Sequence, residues 1–172
     1  MWAKNKKLGF TIVELLIVIV VIGILAAITI VAYNGIQTQS KNAKTVSAIS
    51  AWAKAIRLYN ADIGSWPTAN SCFGSSTTYV GNNAQCWNSS IWVVNSTFIN
   101  QLQPYMSGTP EPDTTDVTDG VTNTPRRGAL YHAGNRNIYA AFRGITSCPS
   151  IGLRHISTGT EAKGIHCVYS LE

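Results

Sequence analysis

The sequence predicts an α+β fold in which one long amino-terminal α-helix carries a small antiparallel β-sheet on its second half. Three features of the 172 residues point to it. Residues 12–32 form an apolar block with a single charged side chain, Glu14, long enough to cross a bilayer. After a polar, proline-free stretch at 37–41, apolar residues resume at Val46, Ile49, Ala53, Ile56 and Ile63. Their first spacings of three, four and three are those of a helix with one buried face. Nearer the carboxyl end, residues 129–133, 137–142 and 166–171 read as short strands.

Taken in order, the first element is one helix from about residue 10 to Asp62. Trp52, Ala55 and Tyr59 widen its apolar stripe, Gly64 stops it and Pro67 reinforces the stop. Residues 70–100 are a Gly- and Asn-rich connection bounded by cysteine, with a short apolar run at 91–94 that fits a strand. A brief helix follows around 98–105. Gly134-Asn135 supplies a turn between the first two later strands. The apolar face of the sheet is expected on the helix stripe, with the segment from Cys148 to Cys167 pinned to the sheet edge.

Charge sharpens the division of the chain. Lysine and arginine number 13 against 8 aspartate and glutamate, but Lys4, Lys6 and Lys7 precede the apolar block. Without them the side-chain balance is +2, which weakens a general nucleic-acid reading. Lysines beside an apolar span hold that end in the cytoplasm and send the remainder out. All four cysteines, Cys72, Cys86, Cys148 and Cys167, lie on the outer side, where disulfides persist. Three pairings are open. Cys72 with Cys86 and Cys148 with Cys167 is the expected one, because each pair is close in sequence and flanked by turn formers; a link from Cys86 to Cys148 would refute it. No pair has the C-x-x-C spacing of zinc or dithiol redox chemistry.

A secretory signal has a shorter apolar core and a small-residue cleavage site, which leaves an uncleaved signal anchor as the plain alternative. The run Lys-Leu-Gly-Phe-Thr-Ile-Val-Glu-Leu-Leu at residues 7–16 resembles the processing signature of type IV prepilins. The stretch from Leu58 to Thr68 also resembles the end of the long helix in pilins and pseudopilins, so the likeness covers about the first 68 residues. It implies a pilin-like fold whose apolar half is exposed before assembly. The implied divisions are a cleaved leader at 1–9, a transmembrane and filament-core half-helix at 10–34, and an extracellular head at 35–172 that includes the second half of the helix. It further implies a prepilin peptidase that cuts between Gly9 and Phe10 and methylates the Phe10 amine. The expected precursor sits in the bacterial cytoplasmic membrane, and the mature form in an extracellular pilus.

Glu14 has two readings. It favours its own helix start, where backbone N–H groups lack partners and the dipole is positive. Alternatively, it meets the Phe10 amine of a neighbouring subunit and sets axial register during assembly. Gly23 is a candidate melting point, since glycine costs up to about 1 kcal/mol relative to alanine in a helix; close helix packing is the other reading. Val31 stands where many pilins have a helix-kinking proline, which argues against a sharp kink.

The implied partners are identical subunits in a helical homopolymer, the peptidase, an assembly platform and a separate assembly ATPase, since this chain has no Walker-type phosphate loop. The membrane is the partner before assembly, and DNA has no supporting motif. Adhesion, motility or DNA uptake would be the role of such a pilus. A pseudopilin or minor pilin of a secretion or competence system shares the same assembly logic, and an anchored binding domain or enzyme belongs to another class. Asp113, Asp116 and Asp119 recur every third residue without EF-hand spacing, so a solvated loop is expected and no metal. His132, His155 and His166 lack a motif beside a nucleophile or carboxylate. Arg126, Arg127, Arg136, Arg143 and Arg154 read as scattered surface charges or as an anion-binding patch. The sequons at Asn88 and Asn95 are weak. No catalytic constellation or cofactor is implied.

Overall fold

The structure is a computed structural model and describes residues 10–79, 85–87, 92–118 and 126–172. The chain divides into two units, residues 1–37 and 38–172. Helix α1, Ile12–Ile63, contributes to both. It has no proline, and its hydrogen-bonded backbone is continuous through Gly23 and Val31. Gly64 ends it at φ 75°, a left-handed conformation open to glycine without a Cβ penalty. The Gly64 N–H donates to Asn60 O at 2.9 Å.

The second unit holds β1 (Ser71–Cys72), α2 (Ser96–Leu102), a 3-10 turn at Gln103–Tyr105, β2 (Ala129–His132), β3 (Asn137–Arg143), β4 (Arg154–Glu161) and β5 (Gly164–Ser170). The strands form one antiparallel sheet in the order β1-β2-β3-β5-β4. The α+β architecture is therefore the one the sequence pattern predicts. One local expectation needs correction. Residues 92–94 form no strand, although Val93 O accepts from the Cys72 N–H at 2.9 Å; Ile91 lies outside the described residues. The segment from Cys148 to Cys167 does supply the sheet edge, as strand β4, and its disulfide ties it to the interior strand β5.

Strand alternation sorts side chains onto two faces. One face gives Ala129, Tyr131, Ile138, Ala140, Phe142, Ile165, Cys167 and Tyr169 to a core shared with Ile49, Trp52, Ala53 and Ile56 of α1. Its centre is aromatic. Trp52 stacks on Phe73 at 4.9 Å and on Phe98 at 5.8 Å, and Phe98 stacks on Tyr131 at 5.3 Å between ring centroids. The Trp52 indole N–H donates to Pro110 O at 2.8 Å, so its one polar atom is satisfied in the interior. Asn95 caps α2 by accepting from the Thr97 and Phe98 N–H groups. The opposite face carries a second cluster of Cys72, Tyr79, Cys86, Trp87, Val117, Leu130 and Ala141. There Gly128, at φ 65°, leaves the space that the Tyr79 ring occupies, and a Cβ would collide with the Tyr79 hydroxyl.

Polar contacts tie α1 to the sheet as well. Asn42 reads both polar groups of one peptide position: its Nδ2 donates to Arg143 O at 2.9 Å and its Oδ1 accepts from Arg143 N at 3.1 Å. Arg57 donates to Leu171 O, and Thr45 Oγ1 accepts from Asp113 N. Replacing Asn42 with alanine strands a partly buried donor and acceptor at the end of β3. The expected cost is about 1–3 kcal/mol, read as a lower urea midpoint at unchanged slope.

Candidate functional site

The amino-terminal unit is built from two local rules. Thr11 and Glu14 form a capping box at the start of α1. Thr11 Oγ1 accepts from the Glu14 N–H at 3.2 Å, while Glu14 Oε2 accepts from the Thr11 N–H at 2.8 Å and from the Thr11 hydroxyl at 2.7 Å. All the carboxylate bonds observed fall on Oε2. Above the box the helix is apolar all round. Its most hydrophobic 18-residue window has a mean hydropathy of 3.3 and is long and apolar enough to cross a membrane. Its side chains are exposed: Phe10 is 81% exposed, Leu15 58%, Ile22 59% and Ile30 63%. A water-facing surface of this kind marks a membrane or partner interface.

The residues singled out from sequence fall as follows. Gly9 lies outside the described residues, and Phe10 is exposed just before the capping box. Among the described residues a Cβ at Gly23 would find no heavy atom within 4 Å. Sequence reasoning passed over Thr11, although its threonine-to-glutamate spacing is the capping-box signature.

Disulfides join Cys72 to Cys86 and Cys148 to Cys167, with Cα separations of 6.0 and 5.8 Å. Asp113 Oδ1 accepts from Thr115 N, and Asp116 Oδ1 accepts from Thr118 and from Arg126 N, so each carboxylate braces its own loop. Asp119 and the sequon at Asn88 lie outside the described residues. Among the described residues no group of three His, Cys, Asp or Glu side chains could hold a metal.

His166 does meet a carboxylate that its sequence surroundings did not reveal: its Nδ1 lies 2.6 Å from Glu161 Oε1, and Arg126 contacts both. His155 Nε2 lies 3.0 Å from Thr158 Oγ1. His132 is flanked by the rings of Trp92 and Tyr139. Four of the five arginines have partners within the chain. Arg126 pairs with Glu161, Arg136 pairs with Glu172, Arg127 Nε donates to Gln85 O, and Arg143 donates to Asp116 O.

Glu111 is the carboxylate with a clear electrostatic signature. The Ser75 and Thr78 hydroxyls each donate to its Oε1 at 2.6 Å and hold its carboxyl below the ordinary range. A folded-state value below the unfolded one stabilises the fold at pH above about 4.5, and that contribution is lost as pH falls through the folded value. Glu111→Gln should therefore lose stability against the parent at pH 6, with the difference shrinking below pH 4.5. Exposure keeps the effect under about 1 kcal/mol. Urea midpoints across pH check it.

Residues 4–30 match the family model of the prokaryotic N-terminal methylation motif. Over 78 residues the chain is 37% identical to the fimbrial protein EcpC of Eikenella corrodens, covering 45% of this chain and 51% of that protein. It is also 37% identical over 70 residues to the type II secretion system core protein G of Escherichia coli K12, covering 41% and 48%. Against the type IV major pilin protein PilE1 of Neisseria gonorrhoeae it is 33% identical over 66 residues, covering 38% and 40%. The chain thus spans about half the length, or less, of these curated relatives. No solved structure matches it.

Proposed function

This is a type IV pilin-like protein, and from that premise we propose that it is a structural subunit of a type IV pilus, cut after Gly9, methylated on Phe10 and polymerised through the first half of α1. The observation that carries the reading is the fully exposed apolar half-helix with one carboxylate at its very start. Lipid and a bundle of such helices are similarly apolar, so transfer between them gains little hydrophobic free energy. The polar contact at the helix start then decides register. A carboxylate at mid-bilayer costs roughly 2.5–3.5 kcal/mol, and Glu14 escapes most of that by standing near the end of the span. A neighbour's Phe10 amine gives it a charged partner inside the bundle. Cleavage is what creates that amine.

In this reading the precursor sits in the cytoplasmic membrane with its head outside, and a peptidase, a platform and a separate ATPase act on it. Similarity to a secretion-system core protein favours a second reading, in which the same assembly makes a short pseudopilus. Purified surface filaments, analysed by intact mass and amino-terminal sequencing, should contain this chain beginning at N-methylated Phe10. Recovery of the chain in membranes with residues 1–9 still attached, and never in filaments, would overturn the proposal in favour of a signal-anchored protein.

A further inference from the structure

We propose that the outer face of the sheet carries a binding site for a quaternary ammonium group. Trp87, Trp92, Leu130, His132 and Tyr139 line a cleft of 150 Å³ there, and a space on the order of 150 Å³ admits a group the size of benzene. The rings follow one another as a curved band. Trp87 meets Tyr139 at 6.1 Å and 69°, Tyr139 meets His132 at 6.2 Å and 40°, and His132 meets Trp92 at 5.3 Å and 43°. Leu130, almost fully buried, closes the base.

The shape and chemistry select the ligand. No two neighbouring rings in the band are parallel, so no such pair can sandwich a flat base or sugar ring, a constraint that a compact, near-spherical cation does not meet. Aromatic faces are electron-rich and attract cations. Trp87 already does so, with the Arg126 guanidinium carbon 5.6 Å from its ring centroid. None of the five lining residues bears a carboxylate. The Tyr139 hydroxyl already accepts from Asn135 Nδ2 at 3.0 Å, and the Asn135 N–H donates to His132 Nδ1 at 3.4 Å. A primary ammonium carries three N–H donors, and among the lining side chains the Tyr139 hydroxyl has at most one lone pair left to accept them. A trimethylammonium group carries none.

The band is also held before any ligand arrives. Trp87 follows Cys86 in the Cys72–Cys86 disulfide, the Cys86 N–H donates to Trp92 O at 3.0 Å, and the Cys72 N–H donates to Val93 O at 2.9 Å. Little ordering remains to oppose binding.

The test uses the full chain in maltoside micelles, which contain no choline, titrated with choline, tetramethylammonium or ethanolamine and followed by tryptophan fluorescence and calorimetry. Choline and tetramethylammonium should saturate with Kd on the order of 1 mM, and ethanolamine should bind at least about 10-fold more weakly. Trp92→Ala should weaken choline about 10-fold or more, while Trp92→Phe stays within about 3-fold. If Trp92→Ala fails to fold by circular dichroism, Tyr139→Leu takes its place with the same expected loss. Glycerophosphocholine binding as well as choline would place the source in a lipid headgroup, and choline binding alone would place it in a small solute. Equal affinity for choline and ethanolamine, no saturation by either, or binding unchanged in the folded alanine or leucine variant would overturn the proposal.

Discussion

A Glu14→Ala precursor should be cleaved and methylated normally yet yield at least about 10-fold fewer surface filaments, with the processed subunit retained in the membrane. Removing one partner of a desolvated charge pair typically costs about 2–5 kcal/mol, and each incorporated subunit would leave one amine unpaired in an apolar bundle. The capping box makes a sharper comparison available. Glutamine also closes such a box, so Glu14→Gln preserves the bonds with Thr11 seen here while removing the charge. If the carboxylate serves only its own helix start, the glutamine variant should make filaments at the parental level. If it serves a neighbour's amine, the glutamine variant should fail nearly as badly as alanine. Counting filaments by microscopy, with mass spectrometry of the membrane fraction, separates the two roles of one side chain.

Trp52→Ala should be the most damaging single change in the head. Trp52 is fully buried, stacks on two phenylalanines and spends its N–H on Pro110 O. Truncating such a residue costs about 3–5 kcal/mol, a large part of the stability of an ordinary domain, about 5–15 kcal/mol. Trp52→Phe keeps most of the ring stacking and strands the Pro110 carbonyl, so its loss should be nearer 1–3 kcal/mol. Urea unfolding followed by near-ultraviolet dichroism measures both. The core that Trp52 fills belongs to the second unit, so the alanine variant should still be cleaved and membrane-held while its head becomes sensitive to protease.

Elements governed by local periodicity were legible in the sequence. The long helix, its glycine stop, the helix near Phe98 and strands β2, β3 and β5 all follow from spacing and turn residues. Strand β4 escaped because it is exposed along nearly all of its length, with a sequence, Arg-His-Ile-Ser-Thr-Gly-Thr-Glu, that has no buried face to impose alternation. It is held by pairing with β5 instead. The run at 91–94 misled for the opposite reason. It is apolar because Trp92 and Val94 pack on the outer cluster, and packing does not require a ladder.

Sites show the same divide between local and assembled features. The threonine-to-glutamate spacing of the capping box is written in four consecutive residues. The aromatic band draws on positions 87, 92, 132 and 139, which only the β2–β3 register and the disulfide loop bring together. The meeting of His166 with Glu161 likewise depends on the β4–β5 hairpin. The arginines read from sequence as scattered charges or as a patch, and the partners of Arg126, Arg127, Arg136 and Arg143 come only with the fold.

The free rim of the sheet has a consequence for a polymer of identical heads. Copies held side by side face one another at effective concentrations in the millimolar range, and an open row of backbone donors and acceptors is a template for uncontrolled fibre growth. Strand β4 shifts register between His155 and Ser157 and begins on an exposed arginine. Such an irregularity twists a rim away from its copy. In the filament proposed above, heads could then be crowded without welding into one continuous sheet.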